Sequence, residues 1–435
     1  MLDSIHEYAH HQLVKHHEEE ARQEALARWV CHFAEASAEA SRTIQHVQAF
    51  NSVMQESDNI NTALAYLARH PDNVELYART VAALGWIWNP LGVCDKPFEH
   101  AQRAIARGSH LSKATRAALL VSGGHSAYAL GHVELSQVWF SEAARLFAEL
   151  GDVLQSEYLN FFMTGQLANS KEEIPRLYNI RRRALQLNDS YLLTIVNLNL
   201  GASLSDIGEL DQSLAILEEG LRTCEANQYC LYIGGYYINL SDTQAQLGNT
   251  DIALSLLEKA EQAGEVSGYT MIQAYSIFEA CQICYSKGDF TRLEALLARA
   301  ELLVQKLFSP TLLARFYFWR AVVAEQHKDI VQFYQSYGQV FAYLRAHHSN
   351  LHGYVISALL YSAHLFARYG DLERAGALVG YADAYASASQ RQYRSYQLLW
   401  HDAVLSYCPQ VIKTNDLPEL ETLLALAHGV LDVLA

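Results

Sequence analysis

Residues 197–210 read Asn197-Leu198-Asn199-Leu200-Gly201-Ala202-Ser203-Leu204-Ser205-Asp206-Ile207-Gly208-Glu209-Leu210, and residues 238–249 read Ile238-Asn239-Leu240-Ser241-Asp242-Thr243-Gln244-Ala245-Gln246-Leu247-Gly248-Asn249. Both stretches are an apolar helix pattern with a carboxamide in its middle, closed by glycine and then a polar or acidic residue. Their closing glycines, Gly208 and Gly248, lie 40 positions apart. Recurrence at a fixed spacing of this size marks a repeat array rather than a globule with one core.

Sliding the chain along itself extends the pattern in both directions. The turn falls at Gly131, Gly208, Gly248, Gly288 and Gly370, with degenerate copies at Asn169 and Lys328, and Gly92 fits an earlier one. Adjacent turns are 38 to 42 residues apart. Glycine ends a helix in the left-handed conformation without the cost of a Cβ, and an acidic residue after it favours the positive end of the next helix. Small residues recur on the second helix, at Ala143, Ala253, Ala260, Ala300, Ala375 and Ala382, where neighbouring helices must approach closely. A helix pair of this kind cannot bury its apolar face alone, and stacking such pairs makes a continuous core. The expected fold is all-α: a right-handed superhelical solenoid of helix pairs with a period of about 40 residues and one concave wall.

Composition fits. The 435 residues are 51% hydrophobic with only 7 prolines, and no Ser/Pro/Gly-rich linker separates independent globules. A net charge of −15 argues against gripping a phosphate backbone, so no direct nucleic-acid binding is expected. The basic run Arg181-Arg182-Arg183 sits in helix-patterned sequence and reads as a solvated face. Seven cysteines in no regular framework, no signal peptide and no apolar run of membrane-spanning length lead to the expectation of a cytoplasmic protein with no membrane partner.

The segments ending at Gly208 and Gly248 resemble the first-helix consensus of tetratricopeptide repeats, although that family's usual period is about 34. Longer helices would account for the difference. A second resemblance spans the whole chain. Met1-Leu2-Asp3-Ser4-Ile5-His6-Glu7-Tyr8-Ala9, Glu56-Ser57-Asp58-Asn59-Ile60-Asn61-Thr62-Ala63-Leu64 and Arg374-Ala375-Gly376-Ala377-Leu378-Val379-Gly380-Tyr381-Ala382 are similar to parts of bacterial signal-transduction ATPase (STAND-class) transcriptional regulators. The resemblance implies the tetratricopeptide-repeat sensor region, which binds an inducer or partner protein. The ATPase and DNA-binding modules would then lie on a longer chain or a partner. This chain has no phosphate loop and no DNA-reading helix-turn-helix of its own, so neither activity carries over to its residues.

Candidate binding residues come from counting back along each first helix. Nine positions before the turn stand Ser122, Asn160, Asn199, Asn239, Glu279, Trp319 and Tyr361, and three further on stand His125, Met163, Ala202, Asp242, Gln282, Val322 and His364. Asn160, Asn199 and Asn239 could form a ladder holding the backbone of an extended peptide, because a carboxamide both donates and accepts. The alternative is that they hydrogen-bond between neighbouring helices and only stiffen the array. Tyrosines such as Tyr232, Tyr236 and Tyr237, and the run Phe316-Tyr317-Phe318-Trp319, suit either a recognition surface or the core.

Cys281-x-x-Cys284 falls on helix-packing positions with no second pair or nearby histidine, the cluster His10, His11, His16 and His17 comes with no specified carboxylate or thiolate geometry, and His347, His348 and His352 near a helix junction read as a C-terminal cationic cap. No metal or cofactor is expected, and no nucleophile, metalloprotease or dinucleotide motif supports catalysis. Two domains are expected: a helical adaptor over 1–72, with helices near Ser4–Lys15 and Glu18–Ser41 and a pair ending at His70, and a solenoid over 73–435 capped by Leu423–Ala427. The expected function is a non-catalytic sensor region that takes a peptide, protein segment or small inducer in its groove, with a free-standing scaffold joining protein partners as the alternative.

Overall fold

The computed structural model describes residues 8, 11–90, 93–108, 110–165, 170–307, 309–347, 352–389, 391–408 and 418–434. Among these the secondary structure is helical throughout. The chain forms two compact units, residues 1–163 with 227–229, and residues 164–226 with 230–435. The first holds α1 (Glu19–Ala40), α2 (His46–Gln55), α3 (Ser57–Arg69), α4 (Val74–Trp88), α5 (Asp95–Arg107), α6 (Lys113–Ala129), α7 (Val133–Leu150) and α8 (Val153–Thr164). The second holds α9 (Ser170–Leu187), α10 (Ser190–Asp206), α11 (Leu210–Ala226), α12 (Cys230–Gln246), α13 (Thr250–Ser267), α14 (Thr270–Ser286) and α15 (Phe290–Leu307). It continues with α16 (Pro310–Gln326), α17 (Ile330–His347), α18 (His352–Arg368), α19 (Leu372–Ser389), α20 (Ser395–Tyr407), α21 (Leu420–His428) and α22 (Val430–Leu434).

The turn column behaves as the repeat demands. Gly131, Gly208, Gly248, Gly288 and Gly370 have φ of 87°, 83°, 84°, 70° and 89°, and Lys328 takes the same left-handed conformation at 59° despite its side chain. At each of these turns the amide of the following residue reaches back five positions to the first helix, as from Asp289 to the Cys284 carbonyl at 2.9 Å and from Asp371 to the Phe366 carbonyl at 2.9 Å. Asp289, Asp329 and Asp371 then cap the second helix by accepting from the amides of Arg292, Gln332 and Arg374 at 3.0, 3.0 and 3.1 Å. The copies expected at Gly92 and Asn169 lie outside the described residues, as do His10, His348 and half of the helix expected from Ser4.

A second left-handed column escapes the sequence reading. Gly151, Asn188, Gln228 and Gly268 have φ of 68°, 55°, 54° and 70° and end the second helix of successive pairs. Only two of the four are glycines, so the signal is diluted. Both columns together give antiparallel pairs: α10 with α11, α12 with α13, α14 with α15, α16 with α17 and α18 with α19. First helices also pack on the first helices that follow, α10 on α12, α12 on α14 and α14 on α16. The small-residue column is why they fit, since Ala253, Ala260, Ala300, Ala375 and Ala382 are all 0% exposed. The result is an all-α array of tetratricopeptide-like helix pairs.

In the first unit α1 packs directly on α4, and Arg79 pairs with Glu35 at 2.8 Å, so position 72/73 falls inside this unit and the two units part at 163/164. Cys281 and Cys284 are buried free thiols whose pKa values burial pushes up, which suits packing. Among the described residues no group of His, Cys, Asp and Glu is arranged to hold a metal, and no helix is long and apolar enough to cross a membrane. Arg181 pairs with Glu219 at 2.6 Å and bonds Asn197 at 2.9 Å, while Arg182 and Arg183 bond Asn179 and Gln186 on their own helix.

Candidate functional site

The first helices of the second unit turn their polar column toward an unexpected occupant. After α19 the chain leaves the repeat frame, and residues 391–394 run back to the C-terminal end of α10, more than 180 positions earlier in sequence. The Gln392 amide donates to the Asp206 carbonyl at 2.9 Å, and the Gln392 side chain donates to the Ile207 carbonyl at 3.2 Å. Arg391 pairs with Asp206 at 2.9 Å. Arg394 reaches both Asp206 at 2.7 Å and Asp242 at 3.1 Å. These charge-assisted contacts are the stronger kind of hydrogen bond.

Helix α20 follows and lies on α18, α14 and α19. Its N-terminus is fixed where the Arg394 amide donates to Gln397 Oε1 at 2.8 Å, and Gln397 Nε2 donates to Ser357 Oγ at 2.9 Å. Its anchor is Trp400, which is 1% exposed. The indole donates to Tyr285 Oη at 2.7 Å and sits among the rings of Tyr361, Tyr396, Tyr285 and Phe318 at centroid distances of 5.0, 5.3, 5.4 and 5.8 Å. Edge and tilted contacts of this kind add to the burial of ring area.

The sequence candidates divide by this occupant. Asp242 and Tyr361 touch it directly, and Trp319 meets its Tyr396 at 5.4 Å. Trp319 and Tyr361 are 0% and 1% exposed, so they form the floor beneath α20 rather than an open groove lining. Glu279 accepts from Arg315 at 2.8 Å and from Gln282 at 2.6 Å, and the Arg315 guanidinium lies over the rings of Tyr275 and Tyr354. His364 is half-buried, with its pKa pushed down to about 4 by burial and then by Arg368. Burial, with Glu279 and Asp206 nearby, raises the pKa of Asp242 against the opposing pull of Arg394.

The three asparagines differ in the bonds they make. Asn239 donates to the Leu198 carbonyl on α10 at 3.1 Å, which is a tie between neighbouring helices. Asn199 is exposed and bonds the Ile195 carbonyl of its own helix at 3.0 Å. Asn160 belongs to the first unit, is exposed and donates to Glu157 at 3.4 Å.

Sequence reasoning missed Asp206, Arg315, Arg391, Arg394 and Trp400. Asp206 carried a usable signal, because it lies one helical turn beyond Ala202 in the second column and so shares its face. Arg391, Arg394 and Trp400 stand outside the repeat frame, where a periodic search has nothing to compare, whereas Arg315 lies inside it on α16, one helical turn before Trp319.

Against known proteins, no protein-family model matches the chain and no curated protein matches it. Solved structures do. A Rap protein complexed with Competence and Sporulation Factor is 11% identical, with a TM-score of 0.55 over 85% of this chain and 98% of that one. The apo form of RapI is 14% identical, with a TM-score of 0.46 over 84% and 96%. A signal transduction ATPase with numerous domains (STAND) and a tetratricopeptide repeat sensor, from Pyrococcus horikoshii, is 12% identical, with a TM-score of 0.41 over 70% of this chain and about half, 53%, of that one. The first of these likenesses supports the helical-repeat fold.

Proposed function

We propose that the chain is a non-catalytic binding module whose first-helix face in the second unit receives a peptide or an extended segment of a partner protein. One observation carries this reading: that face already holds a polypeptide, gripping the backbone of Gln392 and the side chains of Arg391, Arg394 and Trp400. A surface that satisfies main-chain donors, guanidinium groups and a large ring at once has the chemistry peptide recognition needs. The Rap protein of similar fold was solved with Competence and Sporulation Factor bound, which is in keeping with this use of the fold. Function does not follow from fold alone.

The finer reading is a sensor region of a bacterial transcriptional regulator, coupled to ATPase and DNA-binding modules carried on a longer chain or a partner. It rests on the end motifs of the sequence. The test is selection of a random peptide library on the full chain, followed by calorimetry. Enriched peptides that bind with micromolar or better Kd support the proposal, and failure to enrich any sequence that binds counts against it.

A further inference from the structure

Residues 391–407 depart from the repeat frame that runs through α10 to α19, although Tyr396, Trp400 and Val404 join the core of the second unit. Helix α21, which follows, packs on α17, α18 and α19, continuing the stack, and carries Leu423, Leu424 and Ala427 into the core of the second unit. Helix α20 packs most on α18 and also on α19, the pair just before it, and reaches across to α14, which is far from it in sequence. Its hold on the array is made as a ligand's would be, by two arginines on the carboxylates of Asp206 and Asp242, by backbone donation to the end of α10, and by one indole among three of the array's rings, Tyr285, Phe318 and Tyr361.

The fit is also unfinished. Among the described residues, Tyr361 Oη and Arg315 Nε on the face and Arg394 Nη1 on the strap are buried with no hydrogen-bond partner. Buried polar groups in a permanent core are nearly always paired. Beside the strap lies a cavity of about 410 Å³ lined by residues that include Asp383, Ser387, Arg391, Tyr393 and Leu398. The face thus presents more polar groups than this segment pairs, and the cavity beside it lies between the segment and α19.

We propose that residues 391–400 are a tethered occupant of this face, exchangeable with a peptide from outside that carries the same two anchors, an arginine and, six residues later, a tryptophan or similar large ring. The inference rests on the peptide-binding reading above and adds the ligand's chemistry and a built-in competitor. The carboxylates of Asp206 and Asp242 select the cation, and the rings of Tyr285, Phe318 and Tyr361 select the aromatic residue. While the tether is seated, the apparent affinity for an outside peptide is lowered by the fraction of molecules in which the face is free, about 100-fold if that fraction is about 1%.

The experiment uses the full chain and a fluorescent synthetic peptide with the sequence of residues 391–401. Anisotropy titrations compare the natural chain with the Arg391→Ala/Arg394→Ala variant, whose tether has lost its ion pairs. The variant is expected to bind the peptide at least about tenfold more tightly, and adding Asp242→Asn should remove that gain. Hydrogen exchange on the natural chain should show the amides of α20 exchanging faster than those of α18. An unchanged or weaker affinity overturns the proposal, and so does loss of helical circular dichroism in the variant, because either makes the segment a permanent part of the core. Exchange of α20 as slow as that of α18 also overturns it. These results leave the general binding function standing if library peptides bind the natural chain with α20 still seated; failure of all library peptides, in contrast, strikes that function itself.

Discussion

Glu173 on α9 is the residue whose chemistry departs furthest from expectation at neutral pH. Burial, with Asp206 adding to it, pushes its pKa up from 4.5 to about 7, against the opposing pulls of Ser203 and Arg391. A raised folded-state value means that the folded chain holds the proton more firmly than the unfolded one. The favourable contribution is therefore present in full below pH 4.5 and is lost as pH rises toward and through 7. Glu173→Gln removes the ionisation, and the variant is expected to be more stable than the natural chain by about 3 kcal/mol at pH 8 and by about 1 kcal/mol or less at pH 5. Urea denaturation at the two pH values checks this. A difference that is equal at both would mean that the Glu173 carboxyl is ionised normally. Nothing in the local sequence, Lys171-Glu172-Glu173-Ile174, distinguishes this carboxyl from its neighbour, since the perturbation comes from residues far along the chain.

At the scale of the element, the turn column was legible because backbone conformation restricts residue choice. Only glycine adopts positive φ without cost, so Gly131, Gly208, Gly248, Gly288 and Gly370 stood out, and even Lys328 was placed by spacing alone. The second column was hidden because Asn188 and Gln228 accept the strained conformation there, with no glycine to mark it. These positions make opposite predictions. Gly370 has open space where a Cβ would go, so Gly370→Ala suffers from its φ of 89° and not from a clash, and should destabilise by about 1 kcal/mol. Lys328→Gly relieves the strain at φ 59° and should be neutral or stabilising by up to about 1 kcal/mol. Midpoints of chemical denaturation measure both, and a destabilised Lys328→Gly would show that the lysine side chain matters more than its backbone. Helix α20 was the element least legible in advance. Its residues obey no repeat, and its partners Asp206, Tyr285 and Tyr361 come from three different pairs.

For the molecule as a whole, the repeat period correctly foretold an all-α array, while the candidate site was read only in part. Counting back from the turns found Asp242, Glu279, Trp319 and Tyr361, which share one face of the second unit, because helical spacing alone puts them there. It did not reveal that the chain covers this face with its own segment, a long-range pairing that periodicity cannot encode. The same face is where an outside peptide belongs on the present account. The most direct measurement is photo-crosslinking of a library-selected peptide carrying a benzophenone, with the attachment sites on the full chain located by mass spectrometry. Attachment is expected on the first helices α10, α12 and α14 of the second unit. Attachment confined to the second helices α11, α13 and α15, or to the first unit, would contradict it.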